Sequence, residues 1–212
     1  MREDLNSLLR RTRIVSGFIL FFYAATHLLN HSLATFSISM ADAAREYFIA
    51  FWRNPVAEIF LFASFALHIL LGIQAVLRRK SFKMTKREWL QMTFPFVALL
   101  ALIPHILTTA ILSRVFAVTD NYELIFAATL VDPAKASSNV IFFSLMVVLI
   151  WTHGVIGVHG LLQAKPLYAR LRQTIIGFYW AVPVLALVGF FSGLKEMSFL
   201  TYAHSKLHED YY

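Results

Sequence analysis

Cysteine is absent from the 212 residues, and that absence removes much chemistry at once. The chain can form no disulfide, hold no Cys-ligated iron–sulfur cluster and attach no prosthetic group through thioether links. Charge is also scarce, at 15% of residues against 58% hydrophobic, a balance that excludes an ordinary soluble domain. Acids are the scarcest, 12 against 19 Lys and Arg, for a formal charge of +7. That excess would suit nucleic acid, but the basic residues cluster at alternate ends of apolar runs, the positive-inside pattern of a membrane protein. There is no low-complexity stretch and no long linker, so the chain reads as one bundle domain with no nucleic-acid partner.

What is present is a set of runs of about 20 apolar residues, each long enough to cross a bilayer and to be surrounded by lipid. Five spans are predicted, over 14–36, 55–77, 90–112, 140–162 and 174–191. The first run exceeds the 7–15 apolar residues of a cleaved signal peptide and reads as a retained helix. Thr85 and Glu88 spell a capping box for the third span, and Pro55 opens the second where its missing N–H does no harm. Arg2, Arg10, Arg11 and Arg13, the loop over 78–88, and Lys165, Arg170 and Arg172 mark the cytoplasmic side. Asp42, Glu46, Asp120, Glu123 and Asp132 mark the other side. The expected organisation is a cytoplasmic basic arm over 1–13, a transmembrane bundle over 14–192 and an outer tail over 193–212. A cytoplasmic output domain would need a sixth span beyond it. Between the first two spans, Met40, Ala43, Ala44, Tyr47, Phe48, Phe51 and Trp52 recur at helical spacing and predict a short helix lying on the membrane surface.

Within the spans the informative residues are histidines. HILLGIQAVL from His68 and HGVIGVHGLL from His153 share a pattern: histidine, glycine four places on, a small residue at the seventh. Gly72 and Ala75 thus follow His68, and Gly157 and Gly160 follow His153, each set on one helical face where a flat ligand can approach the backbone. His27 and His105 lie midspan in the first and third spans. An unpartnered polar group costs a few kcal/mol in that setting. By the helical rise, His68 and His153 both fall roughly 3 Å to the cytoplasmic side of their span centres, while His27 and His105 fall roughly 3 and 6 Å to the outer side. In an up-down bundle the diagonal helices then pair their histidines at two levels, which is the ligand count of two bis-histidine haems of b type. Both axial positions of each iron would be filled, leaving one-electron transfer and no catalytic site in this chain.

Depth does not separate His27 from His31, one turn further out. His159 is too shallow to partner His68 and is read near the haem propionates, with Gln74 at the matching place of the other repeat. Arg11, Arg13, Arg78, Arg79, Arg170 and Arg172 are further propionate candidates. Glu58, inside the outer end of the second span, is read with His31 as a proton-exchanging quinone site. Pro104 frees a carbonyl near Leu100 and bends the helix at His105. The plainer alternative is that the small residues are helix contacts and the histidines bond between helices.

These residues resemble the dihaem cytochrome b of succinate dehydrogenase and fumarate reductase, over most of residues 10–192. The resemblance implies ligands His27, His68, His105 and His153, paired first helix with third and second with fourth, beside bound quinone. His27 followed at Asn30 by asparagine is similar to that family's first helix and favours His27 over His31. The stretch WTHGVIGVHGLLQAKPLY, 151–168, resembles more closely the membrane domain of bacterial class III adenylate cyclases that carry such a cytochrome. That likeness implies a multi-pass protein of the bacterial inner membrane with a cytoplasmic N-terminus. It also implies a redox sensor and membrane anchor for a cyclase domain, working as a dimer. The alternative is the cytochrome subunit of a quinone oxidoreductase docking a cytoplasmic redox subunit. A membrane di-iron oxygenase, prompted by His27-x3-His31, fits poorly, since such enzymes need several histidine boxes at cytoplasmic helix ends.

Overall fold

The computed structural model describes residues 2–117, 121–130 and 132–209, so Asp120 and the last three residues of the tail lie outside the described part. The elements in order are α1 (Arg2–Ser32), a 3-10 turn (Leu33–Thr35), α2 (Ile38–Trp52), α3 (Pro55–Leu77) and α4 (Lys86–Ile106). After α4 come a π-helical turn (Leu107–Leu112) and one short α turn, α5 (Ser113–Val115), then α6 (Tyr122–Leu130), α7 (Pro133–Leu162) and α8 (Pro166–Glu209). No strand occurs among the described residues. Five of these helices are long and apolar enough to cross a membrane, the mark of a multi-pass membrane protein. Their outward faces are apolar: Leu70, Leu100 and Trp180 are exposed, as residues facing hydrocarbon should be.

Local chemistry sets the helix limits. Asn54 accepts from Val56 N with Pro55 at the first position, and α3 runs to Leu77, where the basic loop begins. At α4 the Thr85 hydroxyl accepts from Glu88 N while Glu88 accepts from Thr85 N at 2.9 Å, closing the expected capping box. Thr85→Ala should cost about 1 kcal/mol of stability, read as a lower melting temperature by circular dichroism. The segment expected as a surface helix is α2, capped by Ser37.

Two helices exceed their predicted spans. Asp132 caps α7, so it starts at Pro133 rather than near 140. The 44 residues of α8 reach about 66 Å at 1.5 Å per residue, twice the roughly 30 Å hydrocarbon layer. Residues 193–209 are therefore helix continuous with the fifth span. The first turns of this extension are packed: Leu194 and Met197 of α8 join Ala34, Ile38, Ala41, Tyr122, Phe126 and Phe190 in one buried cluster. Glu196 accepts from Ile38 N at 2.9 Å, a carboxylate at the positive end of α2. Residues 2–13 are likewise the first turns of α1.

Helix α1 packs along α3 and α8, and α4 along α7. A second buried cluster of Ala25, Leu28, Trp151, Val182 and Ala186 joins α1, α7 and α8, and the Trp151 indole donates to Tyr179 O at 2.7 Å. Helices α1, α3, α4 and α7 are left walling a common cavity.

Candidate functional site

That cavity holds about 1070 Å³, at the upper end of the roughly 300–1,000 Å³ usual for ligand pockets. All four midspan histidines, His27, His68, His105 and His153, line it, as do Gly72, Ala75, Gly157 and Gly160. Its basic end, where α3 meets α4, is the end of the loop over 78–88.

Near that end the rings of His68 on α3 and His153 on α7 stand 6.1 Å apart between centres, with an interplanar angle of 80°. His68 Nδ1 lies 3.1 Å from Arg13 O, and His153 Nδ1 lies 3.0 Å from Gln91 O. A carbonyl only accepts, so in each neutral ring Nδ1 carries the proton and Nε2 keeps its lone pair. Fixing one nitrogen on a carbonyl is how metal-binding imidazoles are oriented. Ser16 Oγ, 3.4 Å from His68 Nδ1, adds to that hold, and a β-carbon at Gly17 would sit 2.9 Å from His68 Cε1. Gly17 therefore leaves the space in which the His68 ring stands. Sequence periodicity did not single it out, because its partner is on another helix.

Toward the opposite end His27 on α1 and His105 on α4 have ring centres 6.0 Å apart, tilted by 53°. It is His27, not His31, whose ring meets that of His105; the His31 ring meets Tyr122 edge-on at 5.1 Å. Here the ring nitrogens are engaged differently: His27 Nε2 and His31 Nε2 are 3.1 Å apart, so one donates to the other. Thr109 Oγ1 donates to His105 O at 2.7 Å inside the π turn that follows Pro104. Isolated π turns are frequent at functional sites.

A smaller pocket of about 140 Å³ adjoins this pair, lined by His31, Glu58, Arg45, Arg53, Arg114 and Tyr122 among others. Glu58 pairs with Arg114 at 2.6 Å. Burial pushes the Tyr122 phenol well above its ordinary range, so its hydroxyl stays protonated. The three arginines escaped sequence reasoning because they are scattered through the outer segments, away from the basic clusters that mark the cytoplasmic side.

Three other candidates lie outside both linings. Asn30 is buried and donates to Ala41 O at 3.1 Å and Tyr122 Oη at 2.9 Å, tying α1 to α2 and α6. His159 Nδ1 is 2.5 Å from Tyr168 Oη on α8. Gln74 O receives Arg78 N at the end of α3. Of the arginines at the basic end, Arg10, Arg13, Arg79 and Arg87 line the cavity, whereas Arg11, Arg78, Arg170 and Arg172 do not.

Among the described residues no three or more His, Cys, Asp or Glu side chains form a metal ion's ligand set. What the site offers is two imidazoles facing two across a cavity. With a metal–imidazole bond of about 2.0–2.1 Å and roughly 1.1 Å from nitrogen to ring centre, two imidazoles on opposite sides of one metal have centres about 6.2–6.4 Å apart. Both pairs come within a few tenths of an ångström of that separation, which ordinary ring contacts such as His105–Phe143 at 6.3 Å also show. No family model, curated protein or solved structure matches the chain.

Proposed function

We propose that this chain is a membrane-embedded electron carrier holding two b-type haems. His68 and His153 would hold the first, and His27 and His105 the second. The observation that carries the reading is that one cavity is lined by four midspan histidines in two neighbouring pairs, His68 with His153 and His27 with His105. A haem brings four nitrogens of its own and asks two from the protein, so pairs rather than triads are the expected donor set. When bound between two imidazoles it supplies one-electron transfer.

The residues fit that group unequally. Arg13 O and Gln91 O already hold Nδ1 of His68 and His153 and leave each Nε2 its lone pair, whereas His27 must release His31 before its Nε2 is available. His31 is then free to act as a base in the adjoining pocket. A quinol giving up electrons there also releases protons, and His31 and Glu58 are acceptors in the pocket wall. Arg114 holds the Glu58 carboxylate in place.

The test is optical. The purified chain in liposomes should show the reduced spectrum of a six-coordinate b haem on addition of a quinol; no haem band, or a band that quinol leaves unchanged, contradicts the reading. Glu58→Gln should slow reduction by quinol on the order of 10²-fold with haem content unchanged. An unchanged rate would remove Glu58 from the proton path.

The output is assigned from the likeness of residues 151–168 to cytochrome-bearing adenylate cyclases, with the basic end cytoplasmic, the bacterial inner membrane as location and a dimer as the working form. Cyclic AMP formation that follows the quinol-to-quinone ratio in membranes carrying this protein is the expected result. Electron transfer to succinate or fumarate chemistry without cyclic AMP would favour the oxidoreductase subunit instead.

A further inference from the structure

We infer that Ser16 and Gly17 of α1 are positioning residues for the His68 ring: they hold its plane nearly at right angles to that of His153, and so set the electronic state and reduction potential of the iron the pair would share. The inference rests on the haem reading of the cavity and adds to it residues that are not themselves ligands.

One turn of α1 supplies the whole seat. Arg13 O lies 3.1 Å from His68 Nδ1 and also accepts from Ser16 Oγ at 3.1 Å, while Ser16 Oγ itself stands 3.4 Å from Nδ1. Ser16 is buried, so these bonds are shielded from solvent. A carbonyl fixes where the Nδ1 proton points but leaves the ring free to tilt about that bond. Gly17 limits the tilt: a β-carbon there would stand 2.9 Å from Cε1 and 3.2 Å from Nδ1, which means that this ring edge lies directly on the α1 backbone. The partner ring is held more simply. His153 Nδ1 meets Gln91 O at 3.0 Å, and Gly157, one turn on, faces the Gln91 side chain rather than an imidazole.

The two ring planes meet at 80°. Each imidazole raises the one iron dπ orbital that its π system overlaps, so parallel rings raise the same orbital and split the pair, whereas crossed rings raise one each and leave them nearly equal. Low-spin ferric iron has one hole in these orbitals and gains from the splitting; ferrous iron, with them filled, does not. Crossed rings therefore favour the reduced state. They also give the ferric ion one large, strongly anisotropic g value in place of a rhombic spectrum. Groups that orient a ligand imidazole from behind are a general lever on the metal it holds. Because 80° is close to a right angle, a large displacement of the His68 ring in either direction reduces it.

The experiment is electron paramagnetic resonance of the oxidised, full-length purified protein, with a redox titration of the same samples; the His68 centre is identified as the signal lost in His68→Ala. That signal should be of the large-g type. Gly17→Ala presses a methyl group against His68 Cε1, and should move the signal to lower g and lower its midpoint potential while the signal and potential of the other haem stay where they are. Ser16→Ala only removes atoms, so it keeps the site loaded even where Gly17→Ala empties it, and should move the same signal the same way by a smaller amount. A rhombic signal from the His68 centre of the unaltered protein, an unchanged signal in Ser16→Ala and in haem-loaded Gly17→Ala, or equal shifts of both haems overturns the inference and leaves the haem reading intact. A protein that takes up no haem overturns that reading and this inference with it.

Discussion

His68→Ala and His153→Ala should each lower the haem content of the purified protein from about two per chain to about one, as measured by the pyridine haemochrome assay. The reasoning is one of shared ligation. Each ring is held at Nδ1 by a different carbonyl, Arg13 O for His68 and Gln91 O for His153, and the two ring centres stand 6.1 Å apart. Removing either leaves an iron with one protein ligand in an apolar cavity. The two losses should be equal and should not add in the double variant, since both report one site. His105→Ala should remove the other haem. His27→Ala should do the same, whereas His31→Ala and His159→Ala should retain both. Loss in His31→Ala with retention in His27→Ala would reverse the ligand assignment at that level. Independent, additive losses from His68 and His153 would show that they do not share an iron.

Gly189→Leu is expected to be the most damaging single change remote from the histidines. Gly189 lies where α8 crosses the end of α1, and a β-carbon there would run into the main chain at His31 O. Side chains give way by changing rotamer, but a helix backbone moves only as a unit. Overpacking in ordinary cores costs about 1–3 kcal/mol, and a clash with backbone falls at or beyond the top of that range. The displaced segment carries His31 and, one turn earlier, His27, so the damage should spread to one haem before the other. The expected result is a sharp fall in yield and melting temperature and, in any folded fraction, loss of the haem assigned to His27 and His105 while that of His68 and His153 persists. A Gly189→Leu protein with unchanged stability and both haems would contradict the tight crossing of α1 and α8.

These expectations show where the sequence was legible. Hydropathy located five spans, and Pro55, Thr85 and Glu88 placed two helix starts, because caps are local chemistry. The far end of α8 was less legible. Residues 193–209 are polar enough to read as a tail, yet Leu194 and Met197 find an apolar partner surface on α2 and α6, a long-range contact that periodicity does not contain. The same division holds for the site. His68 and His153 announce themselves through a repeated motif, and their depth follows from the helical rise. Gly17 beside His68, Arg87 over Gly160, and the arginines 45, 53 and 114 around Glu58 depend on how closely separate helices approach. Asn30 shows the converse: its likeness to a family position singled it out, while its bonds to Ala41 and Tyr122 serve to join three helices.

The central claim is that opposed imidazoles grip a single iron between them at two levels of this cavity. Near-infrared magnetic circular dichroism of the oxidised, purified protein tests it most directly, because the charge-transfer band of low-spin ferric haem reports the identity of both axial ligands. The account predicts the signature of two neutral imidazoles at about two centres per chain. A high-spin spectrum, a signature of any other ligand pair, or a colourless protein that takes up no hemin would contradict it.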